Sequence, residues 1–356
     1  MGNLVSKRKT FCFVSHTGRV QRPILDGSVR YRCFHPAEEL RRLGHFSVVT
    51  SLTEFLANPC FDYDVYVFHR PNCNKQSPTN FTSLINALKA QGKILVADYD
   101  DLIFGTEEIA LQSSIVKNGN ATPEAVIPLF ENNLNGLSVF DKVICSTRPL
   151  AKWAKHFNPS ATVEVMPNFI PSSLLDLHGK NKFYNKTRQQ GTIGYFAGTK
   201  SHDKDFPVVM NALHRVLSEN PLFTLLVVGP VQVPKSIAAL DNVHVNPVLN
   251  YFRLPSLMWS CETVIAPLET SDFNDCKSRV KYLEASLAGC RLVATPITDM
   301  RDIGSDYMQL VENNNEWYEA LSFPPNATEM SKLREKNFNF LLQNCQIEAL
   351  LKLAGV

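Results

Sequence analysis

The amino-acid sequence predicts an α/β protein: two doubly wound, Rossmann-like domains facing a cleft, with helices closing the chain. Three observations predict it. Short, almost wholly apolar runs alternate with helical segments, the pattern of parallel strands covered on both faces. The alternation breaks once, at a polar stretch over 171–191, and then restarts. The 356 residues, at roughly 150 per domain, make about two such units.

In the first unit, 10–15 (TFCFVS), 45–50 (HFSVVT), 64–69 (DVYVFH), 93–97 (KILVA), 142–146 (KVICS) and 162–166 (TVEVM) read as strands. The stretch 36–43 reads as a helix starting at Pro36, whose missing N–H costs nothing in a first turn. Leu40 and Leu43 continue it at helical spacing. Further helices are predicted over 79–91 and 123–138. In the second unit the strands are 192–197, 223–229, 242–246, 263–267 and 291–295. Helices are predicted at 205–218, at 277–288 with Val280, Leu283 and Leu287 on one face, and at 315–322 and 330–352. The resulting division is 1–170, a connection at 171–191, 192–328, and a C-terminal helical segment at 329–356. In such sheets ligands bind beyond the carboxyl ends of the strands, and here also between the units.

Composition excludes several classes. Hydrophobic residues make up 44% and charged residues 20%, enough for two real cores. The net charge of +2 lacks the basic field of a general nucleic-acid binder. Nine cysteines, an odd number with no C-x-x-C pair, several inside apolar runs, read as small hydrophobes in a reduced, cytoplasmic protein without a zinc site. No apolar run approaches the roughly 20 residues of a membrane span, and there is no secretory h-region. Residues 1–9, MGNLVSKRK, fit a Met-Gly-x-x-x-Ser acylation pattern, with basic residues that suit peripheral contact with an anionic membrane face. The simpler expectation is a short soluble leader.

Five features carry chemistry. In 194–206 (GYFAGTKSHDKDF) a strand ends at Gly198 and a loop with Lys200, His202 and Lys204 enters a helix, a setting for an anion as well as an ordinary turn. In 273–290, Lys277, Arg279 and Lys281 crowd a helix start, against the macrodipole unless an anion binds there. Ser278 can donate to the same anion, and Glu284 shares a helix face with Lys277 and Lys281. Asp98, Asp100 and Asp101 follow an apolar strand; one can cap it, and Asp98-x-Asp100 also has a spacing that holds a divalent metal. Arg30 and Arg32 lie in 27–35, read as a loop after the first strand. His16, His69 and His202 are lone histidines at strand ends or loops.

Together these residues resemble a glycosyltransferase of the GT-B architecture, within the retaining family 4. The family's donor-phosphate loop, Gly-Arg-Leu-x-x-x-Lys, is similar to Gly198…Lys204, with Thr199 in place of the arginine. Its C-terminal signature of two glutamates eight apart is matched at the second by Glu284, with Ala285 and Gly289. Cys276 stands at the first, beside Asp275. Stretches resembling F-N-x-C-K-S, G-T-x-S-H-x-x-D-F, D-x-D-D-L, Arg30-Tyr31-Arg32 and Pro36-Ala37-Glu38-Glu39-Leu40 point to a branch that builds bacterial surface polysaccharides.

The resemblance implies a transferase taking a nucleotide-diphosphate sugar as co-substrate, with no cofactor and no metal, and a glycan or lipid-linked acceptor. It implies a donor site of Gly198, Lys200, Lys204, Lys277, Ser278, Lys281 and Glu284, with Glu284 on the ribose hydroxyls. Asp100 and Asp101 would meet the acceptor or the reacting centre; Arg30, Arg32 and His202 would contact an anionic acceptor or the diphosphate. Asp98 is expected to cap its strand. Three other readings stay open: a metal-dependent transferase using Asp98 and Asp100, a nucleotide-sugar epimerase, and a non-catalytic glycan- or nucleotide-binding subunit.

Overall fold

The computed structural model describes residues 8–17, 19, 21–74, 81–180, 190–198, 205–247 and 251–356. Two six-stranded sheets, parallel throughout, follow one another along the chain. The first contains β1 (Thr10–Ser15), β2 (Phe46–Ser51), β3 (Val65–His69), β4 (Ile94–Tyr99), β5 (Lys142–Cys145) and β6 (Thr162–Val165), in the order β2-β1-β3-β4-β5-β6. The second contains β7 (Thr192–Phe196), β8 (Thr224–Val228), β9 (Val243–Asn246), β10 (Thr263–Ala266), β11 (Arg291–Ala294) and β12 (Gln309–Leu310), in the order β12-β11-β10-β7-β8-β9. The predicted pair of doubly wound sheets is present. The strand order reverses between β1 and β3 and between β7 and β10, and doubly wound sheets bind ligands at such switch points.

The central strands β1, β3 and β7 are buried along most or all of their length, because helices cover both faces of each sheet. The cores interlock. Phe273 and Cys276, from the second half, pack with Tyr99, Leu102 and Phe104 of the first. Tyr31, from the first half, packs with Tyr282 and Leu283 of the second. The last predicted helix is in fact two. Ala327–Gln343 sends Met330 and Leu341 inward, whereas Glu348–Ala354 returns to the first sheet and buries Leu350 and Leu353 against Phe11 and Phe13. Each such leucine contributes roughly 1.5–3 kcal/mol. The polar connection also holds a helix, Ser172–Lys180, with Leu175 buried in the second half's core. No helix among the described residues is long and apolar enough to cross a membrane.

The largest departure from the sequence reading is at 27–35. It is not a loop. The helix starts nine residues before Pro36, as Gly27–Val29, a π-helical Arg30–Phe34, and His35–Arg42. Asp26 caps it, accepting from Ser28 N at 3.0 Å. Inside a helix, Pro36 cannot donate to the Arg32 carbonyl and its ring pushes that carbonyl away. The wide π turn, with His35 N–H bonded to Arg30 O, absorbs the misfit and brings Arg30, Tyr31, Arg32 and Cys33 in succession to buried positions.

One face of this helix grips the chain where it crosses between the sheets. Arg32 Nη1 donates to Met166 O at 2.6 Å and to Asn168 Oδ1 at 3.0 Å. His35 Nδ1 meets Phe169 O at 3.0 Å, and burial lowers the imidazole pKa to about 4, so it is neutral and donates. Ser172 N donates to Glu39 Oε2 at 3.0 Å. Residues 32, 35 and 39 share a face by the helical repeat. Arg32 is wholly buried against Asp98, with Nε 3.1 Å from each carboxylate oxygen. Asp98 is therefore no strand-end cap. It lies inside β4 as half of a core ion pair, and Arg32 does not reach the cleft.

Asp98→Asn is expected to cost about 3–5 kcal/mol in denaturant unfolding, because it leaves a buried guanidinium without its counter-charge. The double variant Arg32→Met/Asp98→Leu should recover only part of this, since Met166 O and Asn168 Oδ1 still lose their donor.

Candidate functional site

A cavity of about 1320 Å³ lies between the two sheets, at the carboxyl ends of β7, β10 and β11 on one wall and of β3 and β4 on the other. Gly198, Lys277, Ser278, Lys281 and Glu284 line the first wall; Arg30, Arg70, Asp100 and Asp101 belong to the second. The structure thus brings together nine residues from distant parts of the chain, eight of them expected from sequence. Lys200, His202 and Lys204 lie outside the described residues.

The first-half wall is built on strand register. His69 of β3 pairs with Asp98 of β4, so Arg70 and Asp100, the first residues beyond their strands, leave the sheet one residue apart in register. Arg70 has φ 50°, the left-handed conformation seen in no other non-glycine described residue. For a side chain this costs roughly 1–2 kcal/mol. In return its guanidinium forks onto Asp100, with Nε–Oδ1 at 2.7 Å and Nη2–Oδ2 at 3.1 Å. Ser28, from the first turn of the helix, donates to Asp100 Oδ2 at 2.6 Å, and the buried His69 Nε2 lies 2.7 Å from Ser28 Oγ. Burial would raise the Asp100 pKa, but the Arg70 charge and then His69 overcome it and hold the carboxyl well below its usual range. Asp100 is thus a fixed anion whose acceptor sites are largely used. Among the described residues the Asp101 carboxylate accepts one bond, from its neighbour Leu102 N at 3.0 Å, and it faces the same cavity. Of the two aspartates, Asp101 has the greater capacity to receive a ligand hydroxyl.

The second-half wall is built on turns. Gly229 has φ +124°, and a Cβ there would lie 2.0 Å from Ala197 O; only glycine lets β8 end against the chain leading to Gly198. Gly198 itself faces open space. The residues between the helices Asp272–Asp275 and Val280–Leu287 are held from several sides. Thr147 Oγ1, from the first half, donates to Cys276 O at 3.0 Å. Arg279 N donates to Asp299 Oδ2 at 2.7 Å and its guanidinium pairs with the same carboxylate. Arg279 is a structural cation, leaving Lys277 and Lys281 as the cavity cations of this segment. Lys281 Nζ sits 2.9 Å from Glu284 Oε2. Glu284 is almost buried, beside the Tyr31 hydroxyl, whose pKa is raised by burial and then by the Glu284 charge. Arg30 stacks its guanidinium 3.2 Å from the centroid of the Tyr251 ring and donates to Ile24 O.

Three placements bear on the sequence reading. Arg32 is in the core and not at the cavity, as described above; of the two expected arginines only Arg30 lines it. Asp98 and Asp100 do not face one space: each carboxylate is engaged by a different arginine, and Asp98 is absent from the cavity wall. Neither Cys276 nor Asp275 lines the cavity. Burial and then Asp101 push the Cys276 thiol up to about 12, and Asp275 accepts from Thr298 N and Oγ1, both at 2.7 Å.

Sequence reasoning gave no role to Ser28, Tyr31, Arg70, Asn168 or Tyr251, and assigned none to His69. Arg70 carried a usable signal, since it follows β3 as Asp100 follows β4. Asn168 carried none, because its partners are 110 and 136 positions away.

Comparison with solved structures finds the same fold. AviGT4, a glycosyltransferase involved in Avilamycin A biosynthesis, superposes with TM-score 0.59 at 12% identity over 98% of this chain and 99% of that one. WaaG, a glycosyltransferase involved in lipopolysaccharide biosynthesis, gives 0.50 at 14% over 97% of each. A TarM mutant of S. aureus in complex with Fondaparinux, alpha-GlcNAc-glycerol and UDP gives 0.52 at 11%, covering 82% of this chain and 55% of that one. The chain thus spans about half the length of TarM. No family model and no curated protein matches the sequence. The architecture is the two-domain GT-B arrangement of these neighbours.

Arg70→Met should raise the Asp100 pKa and expose the sign of their coupling. A carboxyl depressed in the folded state contributes stability above its unfolded pKa of about 3.9, lost as pH falls through the folded value. Wild type should therefore exceed the variant by up to about 3 kcal/mol at pH 7, and urea titrations should show the gap closing below about pH 4.

Proposed function

We propose that this protein transfers a sugar from a nucleotide-diphosphate donor to a glycan or lipid-linked acceptor. The observation that carries the proposal is the cavity, with Lys277, Ser278 and Glu284 on one wall and Asp100 and Asp101 on the other. Breaking a glycosyl–phosphate bond builds negative charge on the departing diphosphate. Cations and hydroxyl donors fixed in a site shielded from water stabilise that charge where it forms, and one such donor is typically worth about 2.7–4 kcal/mol. Lys277 and Ser278 supply this in our reading, with Lys200 and Lys204 completing the site. Glu284, an acceptor-only carboxylate, suits the ribose hydroxyls. Lys281, paired with Glu284, serves the same subsite in this reading.

The acceptor then approaches from the first half. Asp101 orients its hydroxyl, while Asp100, pinned by Arg70, faces the positive charge that develops on the sugar. Asp100 is too acidic to take a proton at neutral pH, so its contribution is electrostatic. Arg30 offers a cation to an anionic acceptor or to the diphosphate. We further propose reaction with retention and without a metal, in cell-surface polysaccharide biosynthesis, as the sequence resemblance implies. WaaG's part in lipopolysaccharide biosynthesis supports the pathway class and the UDP bound by TarM the donor class. A reducing, cytoplasmic setting suits the nine free thiols.

A panel of nucleotide-diphosphate sugars, assayed for donor hydrolysis and transfer with and without EDTA, tests the proposal. Turnover of at least one donor, insensitive to chelator, is expected. Abolition by EDTA with rescue by manganese would replace the metal-free mechanism. Tight binding without any turnover would favour a non-catalytic subunit, the reading to which Cys276 at the first glutamate position lends weight.

Two substitutions should separate the walls. Glu284→Gln is expected to weaken nucleotide binding by about 1.5–3 kcal/mol in calorimetry, the scale of a charged hydrogen bond. Asp101→Asn is expected to leave that affinity unchanged and to lower kcat in transfer assays, because it acts on the acceptor side.

A further inference from the structure

A chain of polar contacts runs from the core of the first half to the donor wall of the second, and it fixes the direction of one hydroxyl. Asp98 holds Arg32, Arg32 Nη1 donates to Asn168 Oδ1 at 3.0 Å, and Asn168 Nδ2 donates to Ser278 Oγ at 2.9 Å. The order of donors is forced. A guanidinium has donors only, so the side of the Asn168 amide facing it must be the oxygen. The amide NH₂ must then face Ser278, and the opposite orientation would set two donors against each other at Arg32. Asn168 is 4% exposed, so its amide is held almost entirely by these two partners.

A hydroxyl carries one proton. With a lone pair of Ser278 Oγ taken by Asn168, its proton points elsewhere, and no described protein atom accepts it. Ser278 lines the cavity, as does its neighbour Lys277. We infer that Asn168, oriented by Arg32, is a positioning residue that makes Ser278 an obligate hydrogen-bond donor to an anionic phosphate oxygen of the bound nucleotide. The inference rests on the donor-site reading given above, and adds that this donor is set by a residue of the interdomain crossover. It also gives Arg32, which touches no ligand, a part in ligand recognition.

The test is a double-mutant cycle read by calorimetric titration with UDP, GDP and ADP, on folded protein verified by thermal unfolding. Ser278→Ala should weaken the best-binding nucleotide by about 10- to 100-fold, as expected for a hydrogen bond to a charged group. Asn168→Ala, which lets the hydroxyl rotate, should weaken it several-fold in the wild-type background and not at all in the Ser278→Ala background. Asn168→Asp keeps the side chain's shape and its bond from Arg32 but presents Ser278 with an acceptor, turning the proton away from the cavity. It should lose at least as much affinity as Ser278→Ala, and it tests the idea should Asn168→Ala fail to fold. Equal effects of Asn168→Ala in both backgrounds, or wild-type affinity of Asn168→Asp, would overturn the relay while leaving the donor site in place. Failure of all three nucleotides to bind the wild-type protein would instead remove the donor-site reading, and the relay with it.

Discussion

The structure depends on one helix face holding the chain where it passes between two sheets. Arg32, His35 and Glu39 bind the segment Met166–Ser172 by its backbone, and Arg32 is at the same time neutralised by Asp98 in the central part of the first sheet. A buried ion pair alone is weak evidence of stability, since desolvation offsets much of the attraction. Here the guanidinium also donates to Met166 O and Asn168, so the charge is satisfied on several sides. That set of bonds fixes the helix, β4 and the crossover together. Because the cavity walls hang from these elements, it also fixes which residues face each other across the cleft.

The π turn ahead of Pro36 makes this possible. A regular α-helix spreads successive side chains 100° apart, so three neighbours rarely all meet buried partners. The wider turn distributes Arg30 to the cavity, Tyr31 to the second half's core and Arg32 to the first half's core. π segments inside helices occur often at functional sites. The same helix supplies Ser28 to Asp100, so the first wall and the interdomain joint come from one piece of secondary structure.

The electrostatics of the cleft follow from how its charges are paired. Asp100 is locked by Arg70, and Lys281 by Glu284. Lys277 is near the ring of Phe273, itself packed into the first half's core. The shared cores, with Phe273 reaching one way and Tyr31 the other, mean that apolar packing as well as hydrogen bonds sets the spacing of the walls. Between protein walls, fixed dipoles and charges act more strongly than in bulk water.

Taken alone, the sequence determined the two parallel sheets, because strands buried on both faces must be apolar throughout and helices between them must be amphipathic. It also pointed to several residues of the cavity, since strand ends and helix starts are where such sheets present ligands: Gly198, Asp100 and Asp101 lie just beyond a strand, Lys277 and Ser278 just before a helix, and Glu284 in that helix's second turn. Tertiary structure alone decided the rest. Two arginines two positions apart, Arg30 and Arg32, look equivalent in the sequence, yet a π turn sends one to the cavity and the other to the core. Asp98 and Asp100 look like a pair, yet different arginines claim them. Arg70, Asn168 and Tyr251 join the site through partners about 30 to more than 200 positions away, and no local pattern records such contacts. Periodicity reports what a segment does with its own neighbours; the pairing of a buried charge is settled only by whatever the fold places opposite it.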